Sequence, residues 1–232
     1  MGRDSDLSLA DALAKYKKEN LYIRSWAEYS VELEALTKKV TEYIKKNNII
    51  VDAVVPIERG GNCAGTYLAY KLSILQILPV QYKYFFVGKI CELKKMLGVP
   101  KDAFTKDEAP VFLLVEGNHC MGFMADTVAK DLKKQFPKCR IIYAASNMDY
   151  NHQDAVKDAE VSFYGELQND CMELSDEECR EHGIDPEKSL LFPWEGIEEE
   201  WTTIQLKQFK FNRVEKLRKK AKLCESIKLD EI

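Results

Sequence analysis

The sequence has 232 residues, 46% hydrophobic and 31% charged, which is the composition of a globular protein with one sizeable core. Its formal net charge of -4 argues against a general polyanion binder, and no apolar run is long enough to cross a membrane. The first residues contain no apolar export signal, so we expect a cytoplasmic protein whose seven cysteines are reduced.

The chain begins with two predicted helices. Residues 1–20 are interpreted as an N-terminal helical leader, because a polar start is followed by a short amphipathic pattern. Ser25 and Glu28 then form an S-x-x-E capping box in front of a strongly periodic helix. Two lysines followed by Asn47 and Asn48 are typical of its C-terminal end.

Short apolar runs in the next part of the chain predict a parallel sheet. They are rich in β-branched residues, as in strands that are covered on both faces. Strands are expected over 49–57, 80–86, 111–115, 140–145 and 161–166, with helices over 63–72 and 125–136. A short helix is also expected over 90–97. These elements predict an α/β fold.

The acidic stretch after residue 147 has weaker signals. Ser175 and Glu178 predict the cap of a small helix that Gly183 ends. The run 190–195 is interrupted by Pro193 and is therefore expected at a strand end.

Residues 201–232 predict a basic helical C-terminal extension. Phe211, Val214 and Leu217 repeat at helical spacing beneath the positive charges. Such a helix is either a solvated face or a docking helix for a nucleic acid or an acidic protein partner. The residues that would carry this docking are Lys216, Arg218, Lys219 and Lys220.

Two segments stand where a predicted strand gives way to a helix. In the first, Gly60 and Gly61 would let the backbone approach a ligand, and Arg59 would offer its guanidinium to phosphate oxygens. In the second, residues 116–124, Gly122 would present helix amides to an anion, while Glu116 would accept sugar hydroxyls or hold a metal. Either segment is also interpretable as an ordinary strand-to-helix turn.

Motifs along the chain resemble those of type I phosphoribosyltransferases, in particular the xanthine-guanine branch. They are residues 21–26 (LYIRSW), 52–61 (DAVVPIERGG), 111–124 (VFLLVEGNHCMGFM), 163–166 (FYGE) and 192–195 (FPWE). The resemblance implies one domain over residues 21–200, with a mostly parallel twisted sheet, helices on both faces and a small hood. The implied reaction moves ribose 5-phosphate from phosphoribosyl pyrophosphate (PRPP) to a purine nitrogen, with Mg²⁺ bound and pyrophosphate released.

The same resemblance assigns roles to individual residues. Arg59, Gly60 and Gly61 would bind pyrophosphate; Gly117, Met121, Gly122, Phe123 and Met124 would line the phosphate loop; Phe192, Trp194 and Glu195 would contact the base; Glu116 and Cys120 would stand at the catalytic positions, with Glu116 a Mg²⁺ ligand.

The phosphate loop departs from the family's pattern of two adjacent acids, a third acid and T-G-x-T. Several hydrogen bonds worth about 1.5–3 kcal/mol each would be lost, so PRPP affinity is expected to fall about a thousandfold or more. The departures are Gly117 for the second acid, Cys120 for the third, and Met121 and Met124 for the threonines.

Two other groups of residues give weaker signals for a functional site. Cys171, Cys179 and His182 would be three zinc ligands or part of an acidic surface insert. His119 and Cys120 would be a reactive pair or structural residues. No tightly bound cofactor is expected, and Mg²⁺ only with catalysis.

The sequence therefore supports a degenerate phosphoribosyltransferase-like protein that binds a nucleotide, a nucleic acid or a partner, as a homo-oligomer or complex subunit. The alternatives are an active 6-oxopurine phosphoribosyltransferase and an altered nucleotide hydrolase or glycosyltransferase.

Overall fold

The computed structural model describes residues 17–87, 90–105, 108–120, 122–149, 155–169, 174–202 and 204–205. The predicted leader up to residue 16 lies outside this description, as do the basic residues Lys216, Arg218, Lys219 and Lys220. The described chain divides into a main unit, residues 27–82 and 95–168, and a second unit that contains the rest. The predicted domain boundaries at residues 20 and 200 stay predictions.

A 3-10 helix at Lys18–Asn20 precedes the strands and α-helices of the described chain. Their order is β1 (Leu21–Ile23), α1 (Trp26–Lys46), β2 (Ala53–Glu58), α2 (Gly61–Lys71), β3 (Val80–Val87), β4 (Ile90–Leu97), β5 (Val111–His119), α3 (Phe123–Gln135), β6 (Arg140–Asp149), β7 (Val161–Gln168), α4 (Asp176–Glu181) and β8 (Ser189–Leu191). Six strands form a sheet in the order β4-β3-β2-β5-β6-β7. The pairs β2–β3, β2–β5, β5–β6 and β6–β7 are parallel, which confirms the predicted α/β fold.

Two helices pack on one face of this sheet. Val54 and Pro56 of β2 lie next to Gly65 of α2. On the same face, the hydroxyl of Tyr29 in α1 donates a hydrogen bond to Ser146 Oγ in β6 at 3.0 Å. Pro56 pairs with Val115 and Val115 with Ala144, and Ser146 stands two positions after Ala144. Side chains two positions apart on a strand point to the same face, so both helices lie on one side of the sheet.

The third long helix covers the opposite face. Phe136, at the end of α3, contacts the ring of Phe112 with 5.6 Å between the ring centroids. Phe112 pairs with Ala53, the residue next to Val54, so its side chain points to the opposite face of the sheet from that of Val54. The predicted arrangement of helices on both faces is thus confirmed.

The predicted helix over residues 90–97 is wrong, because this segment is strand β4. Its eight residues are too few for a helical period to be told from a short apolar run. Pairing beside β3 decides the outcome, and Lys95 of β4 donates to Asp131 of α3 at 3.0 Å. The same carboxylate accepts the hydroxyl of buried Tyr82 at 2.6 Å.

Strand ends also differ from prediction. β2 begins only at Ala53, and Ile50 is 81% exposed. β5 and β6 are longer than their apolar runs, and their paired register continues to His119 opposite Met148. The segment expected as a loop after Glu116 therefore belongs largely to the sheet.

The second unit holds a small two-stranded parallel sheet, in which Leu21 of β1 pairs with Ser189 of β8. Ser175 and Glu178 form the predicted capping box of α4, and Gly183 follows that helix with φ of 72°. Across the described residues, no helix is long and apolar enough to span a bilayer.

The Tyr82–Lys95–Asp131 cluster generates a stability prediction. Asp131→Ala would leave the buried Tyr82 hydroxyl without its acceptor and should lower the free energy of unfolding by about 1–3 kcal/mol. Lys95→Ala removes only a half-exposed partner and should cost less than about 1 kcal/mol. Urea denaturation of both variants measures the difference, and equal losses would contradict this account.

Candidate functional site

The turn after β2 contacts the end of strand β5 at the C-terminal end of the main sheet. A Cβ atom on Gly61 would lie 2.3 Å from the carbonyl oxygen of Val115, and one on Gly117 would lie 2.7 Å from that of Gly60. Because β2 and β5 are parallel neighbours, their ends lie side by side. The two segments that the sequence singled out are thus in backbone contact, and side chains at these glycines would separate them.

The connection from β5 to α3 has three residues, 120–122. Gly122 is the N-cap of α3 and adopts a left-handed conformation with φ of 74°, which glycine tolerates best. As a glycine, this N-cap residue has no side chain with which to cap the helix. The first amides of the 13-residue helix α3 therefore offer donors to an anion.

Glu116, His119 and Tyr143 form a hydrogen-bonded chain beside this connection. The Tyr143 hydroxyl donates to Glu116 Oε2 at 2.7 Å, and His119 Nδ1 lies 3.0 Å from the same hydroxyl oxygen. Since the Tyr143 proton faces Glu116, Nδ1 is the donor of the second bond. Tyr143 and His119 are buried, whereas Glu116 is half-buried.

Burial changes the pKa values of Glu116 and Tyr143. Burial raises the pKa of Glu116 to about 7, and the hydrogen bond from Tyr143 opposes that rise. Burial, together with the negative charge of Glu116, raises the pKa of Tyr143 well above its usual value. The phenol consequently stays a donor, while Glu116 exchanges a proton near neutral pH.

A second series of hydrogen bonds, from Tyr29 through Ser146 to Gly117, holds the backbone of β5 in the sheet. Ser146 Oγ donates to the carbonyl oxygen of Gly117 at 2.8 Å and accepts the Tyr29 hydroxyl. This carbonyl lies where a loop was expected, so the bond satisfies a buried acceptor that water would otherwise have to reach.

The remaining predicted residues of the main unit lie at the same end of the sheet. Arg59 is exposed directly after β2, and its peptide bond with Glu58 is cis. Cys120 and Phe123 are exposed, and Met124 is half-buried at the start of α3. Met121 lies outside the described residues.

The predicted base-binding residues belong to the second unit. The rings of Phe192 and Trp194 stack with their centroids 4.7 Å apart and 7° between their planes. The guanidinium of Arg24 lies over the Phe192 ring at 4.8 Å. Glu195 accepts the backbone N–H of Phe192 at 2.8 Å, which closes a local turn. Their contact with a base stays a prediction.

The described residues contain no group of three His, Cys, Asp or Glu side chains placed to hold a metal. Glu116 alone does not make a Mg²⁺ site that the protein fills by itself. Of the suggested zinc ligands, Cys171 lies outside the described residues, and the buried Cys179 thiol accepts a hydrogen bond from Asn169 at 3.2 Å.

Sequence reasoning missed Tyr143, Ser146 and Tyr29 as site residues. Tyr143 and Ser146 stand in a run of apolar residues, and Tyr29 lies on the apolar face of a helix. The available signal was that Tyr143 and Ser146 interrupt an otherwise aliphatic strand, since buried polar groups need partners.

No protein-family model matches the chain, and no curated protein matches its sequence. Its fold does match solved structures. A purine phosphoribosyltransferase from Pyrococcus horikoshii is 17% identical with a TM-score of 0.52, over 76% of this chain and 95% of that one. The xanthine-guanine-hypoxanthine phosphoribosyltransferase of Helicobacter pylori is 15% identical with a TM-score of 0.55, over 79% and 99%.

A third match is a hypothetical protein from Neisseria gonorrhoeae with bound ppGpp. It is 15% identical with a TM-score of 0.58, over 81% of this chain and 97% of that chain. At such identities the likeness concerns the fold, and the two named enzymes show that this chain has the fold of type I phosphoribosyltransferases.

The raised pKa of Glu116 generates a second prediction. A carboxyl whose pKa is higher in the folded state stabilises the fold while protonated, and this contribution is lost as the pH rises through about 7. Glu116→Gln stays neutral and should therefore unfold with a free energy up to ~3 kcal/mol above wild type at pH 8, but not at pH 4.

Urea denaturation at both pH values tests this. Glu160→Gln is the matched control, because its hydrogen bonds with Arg140 lower the pKa of Glu160, so its replacement should destabilise at pH 8. If Glu116→Gln is the less stable protein at pH 8, burial does not govern this carboxyl.

Proposed function

We propose that this chain, which has the fold of type I phosphoribosyltransferases, binds a phosphorylated purine nucleotide without transferring phosphoribose. One observation carries the proposal. β5 pairs with β6 up to His119, so only residues 120–122 remain between strand and helix. Their side chains supply neither a carboxylate nor a hydroxyl.

Three groups support phosphate binding at this end of the sheet. Backbone amides at the start of α3 attract an anion through hydrogen bonds and the helix dipole. The turn at Gly60 brings further backbone close to the same region. Arg59 is exposed beside it and carries the positive charge.

Sugar binding is assigned to Glu116. Its carboxylate is half-buried next to the Gly60–Gly117 contact, and carboxylates accept ribose hydroxyls readily. The Neisseria gonorrhoeae protein, which shares the fold, was solved with ppGpp bound, and this favours a guanosine nucleotide as ligand.

Transfer requires more than binding. Departure of pyrophosphate leaves positive charge on the ribose, which needs ionised carboxylates and a metal in fixed positions. Here the carboxylate of Glu116 is hydrogen-bonded to Tyr143, and its pKa lies at about 7. Mg²⁺ would enter only with the phosphates of its ligand, with Glu116 as one protein contact.

The second candidate is an active purine phosphoribosyltransferase. The fold shared with the enzymes of Pyrococcus horikoshii and Helicobacter pylori favours it. A docking role for the basic extension through Lys216, Arg218, Lys219 and Lys220 is a separate proposal, as are assembly into an oligomer and base contacts from Phe192, Trp194 and Glu195.

Calorimetry separates the two functions. The full chain should bind ppGpp or GDP at micromolar concentrations, with or without Mg²⁺, and PRPP at least about a hundredfold more weakly. Incubation with PRPP, Mg²⁺ and guanine, hypoxanthine or xanthine should release no pyrophosphate. Steady pyrophosphate release would establish the transferase, and absence of binding by every nucleotide would refute the proposed function.

Arg59→Ala tests the location of the phosphates. Loss of one charge-assisted contact should weaken GDP binding about 10- to 100-fold. Arg140→Ala is the matched control, because Arg140 starts β6 at the opposite end of the sheet and pairs with Glu160 there. Equal effects of the two variants on affinity would place the phosphates elsewhere.

A further inference from the structure

The two oxygens of Glu116 have different surroundings. Oε2 accepts the Tyr143 hydroxyl at 2.7 Å, whereas no described residue donates to Oε1. Tyr143 is completely buried, and its hydroxyl has Glu116 Oε2 as its acceptor. One oxygen is thus committed to the protein, and the other remains for a ligand.

Tyr143 is itself held in place from two sides. His119 donates to its oxygen at 3.0 Å, and the His119 ring contacts Tyr143 and Tyr164 at centroid distances of 5.4 and 5.0 Å. His119 is buried as well. Since these rings come from three neighbouring strands, the hydroxyl cannot swing away from Glu116 without repacking the sheet.

From this geometry we propose that Tyr143 is a specificity-determining positioning residue, which restricts Glu116 to accepting one ribose hydroxyl through Oε1. The inference rests on the proposed function. It goes beyond it by assigning the ligand class: nucleotides with at least one free ribose hydroxyl, including those whose second hydroxyl carries phosphate. A nucleotide phosphorylated at its 3′ oxygen, such as ppGpp, has only the 2′ hydroxyl left and fits such a site.

The hydrogen bond from Tyr143 fixes the orientation of the carboxylate, so little rotamer freedom is lost when the ligand binds. Removal of the phenol oxygen should therefore weaken recognition of the sugar more than recognition of the phosphates.

The test compares the calorimetric affinities of GDP, 2′-deoxy-GDP and 3′-deoxy-GDP for the full chain. In the wild type, loss of one of the two hydroxyls should weaken binding about tenfold or more, and loss of the other should change it less than about threefold. Tyr143→Phe should reduce the larger of the two affinity ratios, GDP over its deoxy analogue, to about threefold or less. A merely structural role would weaken all three nucleotides equally and leave the ratio unchanged.

Tyr164→Phe is the matched control, because it removes a hydroxyl from the same aromatic cluster and keeps the ring against His119. It should leave the ratio at its wild-type value. If Tyr143→Phe does not fold, the wild-type comparison still decides, since the single-hydroxyl prediction concerns the native chain.

The outcomes are distinguishable. If GDP binds and both deoxy analogues bind equally well, or if both lose affinity alike, the positioning role of Tyr143 is overturned and the proposed function stands. A wild-type ratio that persists in Tyr143→Phe likewise overturns it. If none of the nucleotides binds, the proposed function falls, and this inference with it.

Discussion

The backbone contact between the turn after β2 and the end of β5 is the constraint on which the site depends. Register brings Pro56 opposite Val115, so the chain must leave β2 directly beside its neighbour. The space between Gly61 and the Val115 carbonyl does not admit a Cβ atom. Only glycine lets α2 begin there, and the same contact fixes the position of Gly117.

The polar end of β5 is held by side chains from other elements. A buried carbonyl or carboxylate is costly without a partner, and Ser146 and Tyr143 of β6 supply one each. Tyr29 of α1 in turn donates to Ser146. These bonds let the strand continue beyond its apolar run, so the residues at its end are fixed in a sheet and cannot rearrange around a phosphate as a loop would.

Much of the fold follows from local signals. The capping-box pattern of Ser25 and Glu28 predicts the start of α1, which begins at Trp26, and short β-branched runs predict the parallel strands. The ends of β5 and β6 could not be predicted, because their polar residues are satisfied by partners 24 to 29 positions away in sequence. β4 was missed for a similar reason, since its place beside β3 outweighs a weak local pattern.

The candidate site was predictable only in part. Glycines at 60, 61 and 122 stand where the sequence indicated a close backbone approach and a helix start. The partner of Glu116 was not foreseen, because a tyrosine in an aliphatic strand is interpreted as core. It serves as core and as donor at once, and this dual role is invisible without the register of β5 against β6.

The chemistry of Glu116 is the physical reason for proposing binding without transfer. A carboxylate that stabilises a cationic ribose has to be ionised and open on the side of the reacting carbon. Burial raises the pKa of Glu116 and so favours its neutral form. One of its oxygens also accepts a hydrogen bond from the buried hydroxyl of Tyr143. Acceptance of a hydrogen bond from a hydroxyl needs only one oxygen and no developing charge, so these surroundings suit the proposed binding role of Glu116 better than a catalytic one. A fold shared with phosphoribosyltransferases is compatible with the proposed binding role, because the sheet and its glycine contact depend on backbone geometry and not on the identity of the loop side chains.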